Sequence, residues 1–358
     1  MVARNHEGAR DIVMSVPIAV IGAGIIGARH ARLAAAEPEC RLLGLADPTP
    51  AAAELAAELG VAHYASAQAL LEKESPEGVV IAAPNALHLP IGRMCAERGI
   101  HLLVEKPVAE SVAAGRQLVE AAEAAGVAMM VGHHRRFDPA LDAAKQIVAD
   151  EIGDLVAVSA MWSALKPDPY YDVAWRREAG GGPVLINMIH DINALQHICG
   201  QIASVYAETV PSRRGHPVED TAAVVLRFAG GAIGTIMLTD AAPSPWGWEA
   251  GTNDNPGIAA SGQNCYRFVG TTGALDFPNL TLWRHDGEIP GGWQLPYTSE
   301  ARPTGERDSL TWQLRHFCRV VRGEEEPRVS GREGLATLAA TMAVHESASS
   351  GRPVSLES

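Results

Sequence analysis

An apolar run at Ile18–Ile21 leads directly into Gly22-Ala-Gly24-Ile-Ile-Gly27, and a helical stretch rich in alanine opens within that motif. This order restricts the fold more than any other feature of the chain. The first glycine permits a tight turn and the second lets the backbone approach a pyrophosphate. The third allows close helix–strand packing, with the helix N-terminus facing the phosphate charge. The alternation continues to about Arg136. Further strands are expected at Arg41–Ala46, Gly78–Ala82, His101–Val104 and Val127–Val131, and helices at Ile25–Ala36, Ala51–Leu59, Leu87–Arg98 and Ser111–Ala125. Short apolar runs that do not alternate are what strands covered on both faces require, so the pattern predicts a doubly wound parallel sheet of the Rossmann type.

Asp47 ends the second strand twenty residues after Gly27. A carboxylate there accepts hydrogen bonds from the adenosine ribose and repels a 2′-phosphate; its plainer role is to cap a turn. Pro48-Thr49-Pro50 offers no arginine to a phosphate, so NAD is expected rather than NADP. FAD shares the glycine turn. Ligands of open α/β sheets lie beyond the carboxyl ends of the strands. Pro84-Asn85 with His88, and Glu105-Lys106, follow two such ends. The expected cofactor-binding set is therefore Gly22, Gly24, Ile25, Ile26, Gly27, Asp47, Pro84, Asn85, His88, Glu105 and Lys106. Lys106 reads either as a proton donor and electrostatic clamp or as a solvated lysine paired with Glu105.

Charge narrows the partners. Twenty-nine Lys+Arg against 42 Asp+Glu leave −13, a surface that repels nucleic acid and anionic membranes. The five cysteines form no C-x-x-C pair, which fits inert thiols in a reducing cytoplasm. No segment offers the roughly 18 apolar residues of a membrane span. Residues 1–15 read as a loose extension, since Glu7 and Asp11 interrupt what otherwise resembles a signal peptide; Met1 and Met14 are both candidate starts. His133-His134 have no third spaced ligand, and neighbours on a strand point to opposite faces, so no metal is expected.

The glycine turn, Pro84-Asn85…His88, Gly99-Ile-His101…Glu105-Lys106-Pro107, Gly132-His-His-Arg-Arg-Phe-Asp-Pro139 and Gly180-Gly-Gly182…His190-Asp191 occur together and in order. In them the chain resembles the glucose–fructose oxidoreductase/inositol dehydrogenase/MocA family of nicotinamide-dependent oxidoreductases. The resemblance implies a C-terminal α/β domain with a large, mostly antiparallel open sheet, whose back commonly pairs subunits into dimers or tetramers. The division expected is an NAD-binding domain over 16–136 and a substrate-binding and oligomerisation domain over 137–358, the final helix packing back on the first domain. The sequence itself suggests strands at Ala203–Val210, Thr221–Phe228, Ala232–Thr239 and Tyr266–Val269, a turn at Gly230-Gly231, and amphipathic helices at Asp308–Val321 and Gly334–Ala348.

By resemblance, Lys106 and His190 are the catalytic pair, on the hydroxyl or carbonyl under reaction, and His190 lies on a helix from about Val184 to Cys199. Many relatives place an aspartate four residues before this histidine. Here that position is Ile186, and Asn187 stands three before it. Asn187, His190 and Asp191 are helical neighbours, which suggests Asn187 for substrate hydrogen bonding. Asp191, Arg135 and Trp175 complete the substrate-binding set. Trp162, Tyr170, Tyr171 and Arg176 lie nearby in sequence, and Trp246-Gly-Trp248 enters a loop to Gly262 of the kind that often forms a lid. The expected function is NAD-dependent oxidation of a small sugar, cyclitol or sugar acid. A nucleotide-sensing regulator without catalysis and a dehydrogenase of cyclic diols are the alternatives.

Overall fold

The computed structural model describes residues 15–211, 213–255, 257–285 and 293–356. All but the last residue of the expected N-terminal extension, and both candidate starts, lie outside them. The chain forms two compact units, and they interleave along the sequence. Unit one holds residues 1–105, 120–129 and 314–327; unit two holds 106–119, 130–313 and 328–358. The sequence reading instead cut the chain once, after residue 136. Patterning marks elements but not which elements pack together.

The first sheet is built from β1 (Val16–Ile21), α1 (Ile25–Ala36), β2 (Cys40–Ala46), α2 (Pro50–Leu59), β3 (Ala62–Tyr64), α3 (Ala67–Leu71), β4 (Gly78–Ile81), α4 (His88–Ala96), β5 (His101–Val104), α5 (Val112–Ala124) and β6 (Met129–Val131). Its strand order is β3-β2-β1-β4-β5-β6, with parallel pairing from β3 through β5. This is the expected doubly wound sheet. The short β3 and α3 escaped the sequence reading. Local chemistry fixes the helix ends: Pro50 starts α2 and Gly60, at φ 68°, stops it.

Unit two continues with α6 (Pro139–Asp150), β7 (Leu155–Ser163), α7 (Ile189–Cys199), β8 (Ile202–Pro211), β9 (Glu219–Phe228), β10 (Ile233–Thr239), α8 (Trp248–Thr252), β11 (Tyr266–Gly270), β12 (Ala274–Phe277), β13 (Thr281–His285) and β14 (Tyr297–Ala301). Then come α9 (Ser309–Val321), α10 (Gly331–Ser350) and β15 (Val354–Ser355). The second sheet has nine strands in the order β14-β13-β12-β11-β7-β10-β9-β8-β15, mostly antiparallel with one parallel pair, β7–β10. Along β9 and β10 buried and exposed residues alternate, so one face is core and the other is open. The core of this unit includes Leu141, Trp162, Ile192, Leu226, Phe268 and Val344.

Three sequence expectations change. The final helix, α10, belongs to unit two and packs on β8 and α7. It is residues 314–327 that join unit one, where Phe317 and Val321 lie against Gly78 and Arg315 pairs with Glu37 at 2.8 Å. The loop from Trp246 to Gly262 contains α8, and its Trp248 is fully buried against Tyr266 and Phe277. Finally, residues 184–188 form a π turn before α7 rather than the first turn of one α-helix.

Candidate active site

In unit one, Gly22 adopts φ +92° and runs so close to the end of β4 that a Cβ would sit 2.5 Å from the Ala82 carbonyl carbon. Only glycine fits such a turn. Gly24 caps α1 without a side chain and has open space around it, so the first-turn N–H groups of α1 are uncovered. Ile25, the next residue, is 77% exposed. Asp47 accepts from the Ala23 N–H at 2.8 Å and from Thr49 N and Oγ1 at 2.9 and 2.5 Å. Burial alone would raise this carboxyl; those hydrogen bonds outweigh it and hold it below its usual range. Asp47 thus caps the turn and still presents a carboxylate with spare lone pairs. A glycine cradle, uncovered helix N–H groups and an ionised carboxylate on the adjacent strand fit a dinucleotide.

Pro84 is exposed and Asn85 half-buried, both at the end of β4. Two further residues expected to touch the cofactor, His88 and Glu105, are placed differently. His88 is buried, with Nε2 2.9 Å from the Ala83 carbonyl, and so shapes the loop. Glu105 is buried against His30 at 2.7 Å, tying α1 to the end of β5.

Lys106 and His190 lie together in unit two. Nζ of Lys106 donates to the carbonyl of Ile186 at 3.0 Å, within the π turn. The approach to that turn is tight, for a Cβ on Gly182 would fall 2.2 Å from Oε1 of Glu219. The same Glu219 oxygen accepts from the Val184 N–H at 3.1 Å, anchoring the start of the turn. His190 is buried, and its Nδ1 has no hydrogen-bond partner among the described residues. Burial first, then the charges of Lys106 and Arg135, push its pKa well below 6.5, so the ring is a neutral imidazole at neutral pH. The rings of His133 and His134 meet it edge-on at 5.7 and 5.1 Å, and His134 in turn pairs with Asp254 at 3.3 Å.

Arg135 and Asp191, expected to meet substrate, are instead buried together at 2.9 Å. Arg135 also reaches Glu249 at 2.7 Å and stacks over Trp248 at 4.9 Å. Asp191 takes the hydroxyl of Tyr266, and Glu249 takes Trp162 Nε1 at 2.8 Å. Burial raises the Asp191 carboxyl despite Arg135. The reason for the difference is physical: two opposed charges leave water only when they satisfy one another. This network braces the helix that carries His190. Trp175 is half exposed with Arg176 beside it.

Asn187 sits on the π turn and accepts at Oδ1 from Lys166 at 2.9 Å. Lys166 itself, with Asp240 at 3.1 Å, was absent from the sequence-based set, as were Glu249 and Tyr266. A mostly apolar run, Val156-Ala-Val-Ser-Ala-Met-Trp162, marks β7 and puts Lys166 just past a strand end. Among the described residues no group of three or more His, Cys, Asp or Glu gathers as for a metal, and no helix is long and apolar enough to cross a membrane.

Comparison with known proteins bears on both halves. Residues 16–133 match the model of an oxidoreductase family with an NAD-binding Rossmann fold, and residues 141–276 match the GFO/IDH/MocA C-terminal domain. D-xylose 1-dehydrogenase (NADP(+)) 2 of Haloferax volcanii is 29% identical over 341 residues, covering 94% of this chain and 99% of the relative. scyllo-Inositol 2-dehydrogenase (NAD(+)) of Bacillus subtilis is 27% identical over 364 residues, 96% of each chain. Among solved structures, the WlbA dehydrogenase of Bordetella pertussis, in complex with NADH and UDP-GlcNAcA, superposes with a TM-score of 0.77 at 25% identity, covering 96% of this chain and 99% of that one. With both of its characteristic segments matched in order, the chain belongs to the GFO/IDH/MocA family of dehydrogenases, oxidoreductases with an NAD-binding Rossmann fold.

Proposed function

We propose that the protein is an NAD-dependent dehydrogenase that oxidises a carbinol carbon of a small polyhydroxylated substrate, a sugar, cyclitol or sugar acid. The observation that carries this reading is His190: buried, neutral, unpartnered at Nδ1 and under the field of Lys106. A buried imidazole nitrogen left without a partner is costly, and such groups concentrate at functional sites. The names of the xylose and inositol dehydrogenase relatives support the substrate class. NAD, when bound, would supply the acceptor for the hydride (a hydrogen with its electron pair) lost from the carbinol carbon.

The chain's own residues handle the oxygen. As C–H is lost, the substrate O–H proton passes to the neutral imidazole of His190. The Lys106 ammonium stabilises the negative charge that grows on that oxygen before the carbonyl forms. Its bond to the Ile186 carbonyl fixes the ammonium without cancelling its charge. The buried Arg135–Asp191 pair holds the helix in place. The Asp47 carboxylate, ionised and without a nearby arginine in sequence, favours NAD over a 2′-phosphorylated cofactor. A screen for NAD reduction over sugars, cyclitols, sugar acids and cyclic diols tests the proposal; nucleotide binding with no reduction across the panel would favour a sensor.

We also infer that a second copy of the chain covers the open face of the nine-stranded sheet. There Tyr206 lies beside Val225, Met237 beside both Ala223 and Met161, and Ile233 beside Ala157, with Val269 next in line. Ile233, Met237 and Val269 are each 45% exposed. Apolar residues clustered on one open face, with Thr235, Ser159 and Arg227 between them, suit an isologous contact across a two-fold axis. Light scattering at micromolar concentration should return a dimer or tetramer, and a monomer would contradict the inference.

A further inference from the structure

Two lysines grip successive residues of the π turn that precedes His190. Lys106 donates to the carbonyl of Ile186, and Lys166 donates to Oδ1 of Asn187 at 2.9 Å. Position 186 is an isoleucine, so residues 184–188 of the turn carry no charged side chain. Asn187 is neutral, and His190 is neutral. The cation Lys166 is bonded to Asn187, and its side chain is 11% exposed.

Lys166 is only partly compensated. Its carboxylate partner, Asp240, lies at 3.1 Å. Asp240 is shared, however: it also takes Nη1 of Arg214 at 3.0 Å and the hydroxyl of Tyr171 at 2.7 Å. An ammonium carries three N–H groups, and Asn187 and Asp240 occupy two. The third has no partner among the described residues. Tyr170 and Trp162 present ring faces to the ammonium at 4.8 and 5.8 Å. Burial pushes the lysine down from its ordinary value while Asp240 pushes it back; an anion arriving at the third N–H would reinforce the charged form.

We propose that Lys166, oriented by Asn187, Asp240 and Tyr170, binds a carboxylate of the substrate and makes the enzyme selective for sugar acids over neutral sugars and cyclitols. This rests on the dehydrogenase reading above for the identity of the ligand, not for the existence of the anion site. One remaining N–H on a mostly buried ammonium suits a single carboxylate oxygen better than a doubly charged phosphate.

The test is isothermal titration of the NADH-loaded protein with matched compounds: D-glucuronate against D-glucose, D-xylonate against D-xylose, and D-glucose 6-phosphate, with turnover measured in parallel. At least one acid should bind about tenfold or more tightly than its neutral partner. In Lys166→Met that acid-to-neutral ratio should collapse, while Lys166→Arg, which keeps the charge, should retain part of it. Circular dichroism identifies a variant that has merely unfolded. Equal binding of acid and neutral compounds, tighter binding of the phosphate, or a ratio unmoved in Lys166→Met would each overturn the proposal. Selective, Lys166-dependent acid binding without any oxidation would uphold the anion site and count against the dehydrogenase reading. Oxidation of neutral sugars with no acid preference would do the reverse.

Discussion

Lys106 is held by a backbone carbonyl, that of Ile186, at 3.0 Å. The acceptor is a neutral backbone dipole rather than a side-chain carboxylate. That bond positions the ammonium, whose charge acts on His190. Placing a carboxylate at position 186 should therefore be felt at the imidazole. In Ile186→Asp, an opposite charge near His190 should raise its apparent pKa by about one unit or more. The acid limb of the kcat/KM profile would move upward; a limb that stays put would show that residue 186 and His190 are not electrostatically coupled.

The sign of the pH dependence follows from His190. Its folded pKa lies well below 6.5, so between the two values the unfolded chain binds the extra proton. Stability from this group is complete above 6.5 and is lost as pH falls through that window. Asp138 works oppositely: burial raises it to about 6 from 3.8, so its contribution falls as pH rises across that range. Because the two partly cancel in stability, rate is the better readout. Oxidation should stay active through pH 6.5 and decline only below it, and His190→Asn should remove that limb along with most turnover.

Arg135 lies between Asp191 and Glu249. Removing it strands both carboxylates, one of them completely buried. Arg135→Met should destabilise the protein by about 3–5 kcal/mol, the range for breaking a buried pair from one side. Thermal denaturation reads this directly. A loss under about 1 kcal/mol, the worth of a surface pair, would mean the network is not the brace described here.

Asp47→Ser removes the carboxylate that takes the Ala23 and Thr49 N–H groups. The NAD-to-NADP ratio of kcat/KM should fall by about tenfold, near 1.4 kcal/mol. An unchanged ratio would leave Asp47 as a turn cap alone.

Much of this was legible in sequence because it depends on local rules. The glycine turn, the strand–turn–helix succession around it and the position of Asp47 follow from short-range sterics and the two-residue and 3.6-residue periods. Lys106 and His190 were identified through the family motifs. Other features depend on long-range packing. Arg135 and Asp191 read as substrate-binding residues because each is charged and within or beside a family motif; only the fold brings Glu249, Tyr266 and Trp248 around them. The π turn at 184–188 is likewise invisible to a helical-wheel reading, which placed Asn187 on the face of His190. Lys166 was missed because β7 was not recognised.

The central claim is that Lys106 and His190 oxidise a substrate hydroxyl with NAD. Its most direct test is NADH formation at saturating NAD with the best compound from the substrate panel, in wild type and Lys106→Met, with NADH affinity measured alongside by fluorescence titration. The account predicts turnover in wild type, a fall of about 10²–10⁴-fold in Lys106→Met, and NADH binding that is unchanged. Turnover within a few-fold of wild type in Lys106→Met would contradict it.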